Sequence, residues 1–264
     1  MSRTSTAFLM YHELALPGRP VCNPDPGYIR YVVSASDFRS QMERLAKEGW
    51  RGKSVSEALR SFDGKTVCIT FDDGCETDLL SAAPVLREFG FGATSYITVD
   101  YLGKPGYLSR IQVRELNAAG IEIGCHSLTH PYLTDIDDAR LREETAGAKE
   151  QLEQISGVAV EHFSCPGGRW DRRVLRAVKN AGFRTMATSR TGMNFAATDP
   201  FDLARVAVLK SHSNEIVWQT CLGRGLWKTR AKEVARETVR QSLGNSFYDA
   251  LRHRILNRER TNRT

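Results

Sequence analysis

At 264 residues, 41% of them hydrophobic, and with a net charge of +6, the chain suits one large α/β domain or two small ones around a sizeable core. No stretch approaches the roughly 20 apolar residues of a membrane span. MSRTSTAFLMYHE has too short an apolar run for a secretory leader and no small-residue cleavage site, and the six cysteines (22, 68, 75, 125, 165, 221) form no CxxC pair, so a soluble cytoplasmic protein with reduced thiols is expected.

In chain order, TAFLMYH (6–12) reads as a strand, followed by a Pro/Gly-rich loop to about Tyr31. SASDFRSQMERLAKEG opens on a capping Ser and places Phe38, Met42, Leu45 and Ala46 at helical spacing before Gly49. A short strand near 51–54 and the helix SVSEALRSF follow, then the strand VCITF and the helix TDLLSAAPVLREFG. The alternation continues with strand ATSYITV, helix LSRIQVRELNAAG, strand IEIGC and a long amphipathic helix, DIDDARLREETAGAKEQLEQISG. Strand VEHFSC, helix DRRVLRAVKNAG and strand FRTMATS come next, and RVAVL (205–209) is a last strand before the helical SNEIVWQTCLG. Strands joined by helices pair in parallel, and their number predicts a closed or nearly closed α/β barrel. Chemistry in such folds gathers where strands end. Four strands end at His12, Asp72-Asp73, His126 and Pro166-Gly167-Gly168, all on one expected rim.

VCITFDDGC raises the sharpest question, because a buried strand there stops at two adjacent carboxylates. An Asp-Gly turn accounts for one of them. CHSLTHPYL places His126 and His130 four apart, so that on a helix or tight turn two imidazoles can hold one cation. An acid from a neighbouring strand end completes a set of two histidines and one carboxylate, with positions open for water and substrate. One acid can then bind the metal while the other stays free beside it. The cysteines next to these motifs (75, 125, 165) suggest a thiolate site, but the imidazole–carboxylate set suffices, and small thiols commonly pack behind strand ends.

TFDDG, then HSLTH, then a Pro-Gly turn after the next strand resembles the polysaccharide deacetylases of carbohydrate esterase family 4. The resemblance covers roughly residues 6–210 and extends to AAPVLREFGFGATSYI, LSRIQVRELNAAGIEIGCHS and VLRAVKNAGF. It implies a distorted (β/α)7 barrel and a metal-dependent enzyme that removes N-acetyl groups from amino sugars. LMYH at the N-terminus is similar to a subgroup, the small cytoplasmic exopolysaccharide and holdfast deacetylases, in which the family's last motif, Leu-x-x-His, stands at the start of the chain as if permuted. Carried over by position, the resemblance makes Asp72 the general base and Asp73, His126 and His130 the ligands of a divalent metal, Zn2+ above all. It also makes a backbone N–H at Gly167 an oxyanion donor and His12 the general acid.

Two departures stand out. Many relatives begin the third motif with an arginine that orients the base and carry an aromatic residue at the Gly167 position. FSCPGG has Ser164 and Gly167 there, so Arg169 and Arg205 are the candidates to supply the positive charge instead, and a more open site is expected. Leu209-Lys210-Ser211-His212 also fits Leu-x-x-His, which makes His212 the alternative general acid.

Residues 224–264 carry eleven Lys/Arg against four acids, whereas the first 223 carry 26 against 27. RGLWKTRAKEVARETVRQSLG and NSFYDALRHRILNR read as amphipathic helices, either packed on the barrel or touching an anionic membrane surface. The expected organisation is a catalytic barrel over 1–223 and a basic tail over 224–264. The expected substrate is an N-acetylhexosamine glycan or its lipid-linked precursor, with no nucleic-acid partner, since no recognised module is present. An amide or imide hydrolase of small nitrogen compounds and a non-catalytic glycan-binding relative are the rival readings.

Overall fold

The computed structural model describes residues 4–227, 229–231 and 233–235. Its strands are β1 (Ser5–Tyr11), β2 (Leu14–Ala15), β3 (Val33–Ser34), β4 (Arg51–Lys53), β5 (Thr66–Asp73), β6 (Ala93–Ile97), β7 (Ile121–Cys125), β8 (His162–Ser164), β9 (Thr185–Ala187), β10 (Met193–Phe195) and β11 (Val206–Ala207). β1, β5, β6, β7, β8 and β9 lie side by side in parallel. The segment from Leu203 through β11 is the seventh stave. Leu203 bridges Ala187, the Arg205 N–H donates to the Arg190 carbonyl, and Val206 pairs in parallel with Leu9. The sheet therefore curls back onto its first strand, giving the expected distorted (β/α)7 barrel. The small β2–β3 pair and the antiparallel β10 on the lower half of β1 are additions that the sequence pattern did not announce.

Side chains sort by the strand period of two. Phe8, Cys68, Tyr96, Ala187 and Leu203 meet inside the barrel, joined by Val55 and Ala58 of the helix Val55–Arg60. That helix starts from a Ser54–Glu57 capping box and closes the mouth at the strands' N-terminal ends. Residues of the opposite parity, such as Leu9, Ile69, Phe71, Ile123 and Phe163, form the larger core under the outer helices. Gly124 on β7 has a structural reason: a Cβ there would stand 2.5 Å from the Tyr96 ring, which crosses the interior.

The expected helices form, with two π turns inside them. Asp78–Ala82 precedes Ala83–Phe89, where Pro84 cannot donate a backbone bond. Glu143–Gly147 divides the long helix into Asp138–Arg142 and Ala148–Ser156. Of the basic tail, residues 226–227, 229–231 and 233–235 are helical. The Thr191 N–H donates to the Glu233 carboxylate at 3.0 Å, so this part docks on the barrel. The rest of the first predicted tail helix and all of NSFYDALRHRILNR lie outside the described residues. No helix among the described residues is long and apolar enough to cross a membrane.

A polar cluster fills the closed end. Glu122 on β7 accepts from Thr94 Oγ1 and from the Ser56 N–H at 3.3 Å, and His162 Nε2 lies 3.3 Å from its other oxygen. Burial alone would raise this carboxyl, but His162 and the hydroxyl donors outweigh it and hold it down to about 2. A depressed carboxyl stabilises the fold above its unfolded pKa of about 4.3, and that contribution is lost as pH falls toward the folded value. Glu122→Gln should therefore cost about 3 kcal/mol at pH 7, and chemical unfolding should show the deficit shrinking by about half at pH 3. A pH-independent deficit would refute this account.

Candidate active site

The inward parity of β5 runs Cys68, Thr70, Asp72, and Asp72 is the last residue to point into the barrel before the rim. It faces Arg205 from the closing stave, which is fully buried. Arg205 Nη1 donates to Asp72 Oδ1 at 2.7 Å and Nη2 to Oδ2 at 2.8 Å. The same guanidinium donates to Ser164 Oγ at 2.7 Å and to the Thr188 carbonyl at 3.0 Å. Burial would push the Asp72 carboxyl up, but the charge of Arg205 overrides it and holds Asp72 far below the usual carboxylate range. Of the two candidate arginines, Arg205 takes both oxygens of Asp72, whereas Arg169 lays its guanidinium 3.6 Å above the Tyr132 ring. Ser164, a small residue at the end of β8, leaves room for the Arg205 side chain and bonds to it.

Asp73 leaves the strand with φ +80°, and Gly74 follows at +78°. This turn swings its carboxylate away from Asp72 toward the rim. Asp73 Oδ1 lies 3.7 Å from His126 Nε2 and 3.6 Å from His130 Nε2. Among the described residues it is buried without a hydrogen-bond partner, and an orphaned buried carboxylate oxygen costs free energy unless something positive sits there. His126 Nδ1 donates to the Ser164 carbonyl at 2.8 Å, which leaves the Nε2 lone pair aimed at Asp73. Burial lowers His126 to about 4, so its ring is neutral near pH 7. The donor atoms of all three residues lie within 4.8 Å of one another, and they fit one divalent cation.

His130 reaches the cluster from a turn rather than a helix. Ser127 and His130 both adopt positive φ, at 67° and 65°, a conformation costly for non-glycine residues. Glu144 holds it in place. From the π turn, this fully buried acid accepts from the Leu128 and Thr129 N–H groups at 2.9 and 2.8 Å and from Thr129 Oγ1 at 2.6 Å. The sequence reading missed Glu144. The available signal was an acid amid apolar positions of the helix following HSLTH.

Gly167 (φ +60°) lies in the single turn Pro166–Gly168. A Cβ at 167 would stand 2.6 Å from the Tyr132 ring. The expectation of a more open site is therefore corrected: Tyr132, from the HSLTHPY loop, fills the space beside Gly167. His12, at the end of β1, is stacked on Tyr31 with ring centroids 4.5 Å apart, and its buried Nδ1 has no hydrogen-bond partner among the described residues. Burial lowers its pKa, and the nearby charges of Asp73 and Asp72 oppose that shift. His212 is differently placed. Its Nδ1 faces the Leu209 N–H at 3.4 Å, and Arg30 is the charge that bears on it. It lines the wall of a cleft of about 990 Å3, along with Met10, Tyr31, Gly167 and Trp170.

Comparison with known proteins follows this geometry. Residues 60–186 match the family model described as polysaccharide deacetylase. YxkH of Bacillus subtilis is 26% identical over 182 residues, covering 67% of this chain and 65% of that protein. A chitooligosaccharide deacetylase of Bradyrhizobium is 29% identical over 149 residues, covering 54% and 61%. The chain thus spans somewhat less than two thirds of the length of these relatives. In fold it is similar to the Streptococcus pyogenes deacetylase PplD, solved in complex with acetate, with a TM-score of 0.73, 22% identity, and coverage of 83% of this chain and 99% of that one. The match over residues 60–186, the segment that carries TFDDG and HSLTH, identifies a polysaccharide deacetylase domain, and the barrel has the fold of the solved deacetylase.

Proposed function

We propose that the chain is a metal-dependent hydrolase that removes N-acetyl groups from N-acetylhexosamine units of a bacterial exopolysaccharide or its lipid-linked precursor, releasing acetate, on the cytoplasmic side of the membrane. The observation that carries this reading is the division of labour between adjacent acids: Asp73 Oδ1 is orphaned between two imidazoles, while Asp72 is tied to Arg205. The deacetylase names among the relatives support the substrate class.

Asp73, His126 and His130 would hold the cation, with zinc the first expectation for a set containing two imidazoles. Such an ion, when bound, lowers the pKa of water and polarises a carbonyl. Asp72, fixed 3.8 Å from His126 Nε2, accepts a proton from the water that attacks the acetyl carbon. The Gly167 N–H donates to the carbonyl oxygen as it gains charge. The C–N bond then breaks, and His12 delivers a proton to the departing amine nitrogen, leaving acetate and the free amino sugar. Tyr31 orients the His12 ring through the stacked contact.

Metal analysis alongside acetate release from N-acetylglucosamine oligomers tests the division of labour. Asp72→Asn should keep its metal and lose activity by about 10²-fold or more, whereas Asp73→Asn should lose both. Equal metal loss in the two variants would contradict the assignment. For the acid, His12→Ala should lower kcat by about 10²-fold or more with metal retained, and His212→Ala should stay within a few fold of the parent. The reverse ranking would transfer the role to His212.

The tail is proposed to hold the enzyme against an anionic membrane, each nearby basic residue contributing roughly 1 kcal/mol. Full-length protein should then sediment with anionic liposomes in low salt and a 1–223 chain should not. Equal, salt-insensitive partitioning of both would remove the idea.

A further inference from the structure

Behind the acetyl-binding rim, three residues distant in sequence bring one carboxylate and two thiols together. Glu13 follows His12 directly and is buried, Cys22 sits half-buried in the following loop, and Cys75 is buried just past the Asp73-Gly74 turn. Their donor atoms all lie within 4.8 Å of one another, and the two Sγ atoms are 3.4 Å apart. Gly106 supplies a carbonyl 3.0 Å from Cys22 Sγ. It adopts φ +88°, and a Cβ there would come within 2.7 Å of that sulfur, so only glycine lets this turn close on the cluster. The Tyr28 hydroxyl lies 3.1 Å from Cys75 Sγ, and the Cys22 N–H donates to Glu13 Oε2 at 2.9 Å.

Thiolates paired with a carboxylate suit a soft or borderline cation and discriminate against hard ones. Two sulfurs at about 2.3 Å from a tetrahedral ion are roughly 3.7 Å apart, close to the separation already present. Small hydrophobic thiols packing in a core would not need a buried carboxylate beside them. We propose that Glu13, Cys22 and Cys75 form a second, structural site for a thiophilic cation of the zinc class, separate from Asp73–His126–His130. The ion fastens the loop bearing Tyr28 and Tyr31 to the strand end that carries both catalytic acids. Because Tyr31 stacks on the His12 ring and Tyr28 meets its edge, this fastening also sets where His12 stands. The site rests on its own donors, so it does not depend on the deacetylation reading.

Full-length protein, stripped of metal and kept reduced without oxygen, is titrated with Co2+. Thiolate ligation produces an intense near-ultraviolet sulfur-to-cobalt charge-transfer band that an imidazole–carboxylate site lacks. The expected result is two bound equivalents in the parent, one of them bringing the band. Asp73→Asn should keep the band and lose the other equivalent. Cys22→Ser should lose the band and keep one equivalent; its half-exposed loop position makes it the variant that tests the site even where Cys75→Ser does not fold. Zn2+ should also protect Cys22 of Asp73→Asn from a thiol reagent and raise the Tm of that variant, with neither effect in Asp73→Asn/Cys22→Ser. Cobalt bound without the band, a band that survives Cys22→Ser, or alkylation of Cys22 indifferent to Zn2+ would each overturn the proposal.

Discussion

The buried ion pair between Arg205 and Asp72 is the constraint on which barrel and site both depend. A carboxylate left alone inside the barrel would cost several kcal/mol, and removal of one partner from such a pair typically costs about 3–5 kcal/mol. Arg205 belongs to the stave that closes the barrel, and β11 contributes just two residues to the ladder with β1. Its guanidinium supplements that thin seam by reaching Asp72 and Thr70 on β5, Ser164 on β8 and the Thr188 carbonyl after β9. Closing the barrel and orienting the inner acid are therefore one event. With Asp72 held by Arg205 inside the barrel, the rim is left to its neighbour. The strand's period of two, followed by the positive-φ turn at Asp73 and Gly74, sends two adjacent carboxylates to different environments.

The sequence was readable where a local rule carried the information. Helical spacing, caps and terminal glycines outlined the helices, and Ser34 does accept from the first turn it was expected to open. β-branched runs ending in acids, histidine or Pro-Gly located the rim. The geometry brings together Asp73, His126 and His130, which only family resemblance had sorted from Asp72. The choice between Arg169 and Arg205 was not local. Both are single arginines near a strand end, and what separates them is that one enters a closed barrel while the other stacks on Tyr132.

The residues that escaped reading share a physical reason. Glu144 is one acid among many in its helix, and its burial arises from a π turn and from a loop about fifteen residues earlier whose Leu128 and Thr129 N–H groups it accepts from. Tyr132 replaces the aromatic absent from position 167 by coming from a different loop, so a position-by-position comparison records a loss where the space is filled. Ser164 and Arg205 show the same exchange for charge: the small residue on β8 makes room for an arginine delivered by another stave. In this chain the volume beside Gly167 and the charge beside Asp72 are both supplied by segments distant from the Pro-Gly turn, as close packing allows.

Two Leu-x-x-His stretches competed because a closed barrel makes its first and last strands neighbours. β1 and β11 run parallel and end on the same rim, so a histidine after either can approach the site, and permuting the motif from one to the other changes its place in the chain far more than its place in space. What differs is each ring's surroundings. The His212 ring nitrogen faces a backbone N–H in its own turn. Among the described residues, His12 keeps Nδ1 without a hydrogen-bond partner, near two carboxylates and against a stacked tyrosine. Proton transfer calls for a nitrogen not already engaged by the fold and a ring held against reorientation, and the surroundings of His12 Nδ1 support its proposed role on both counts.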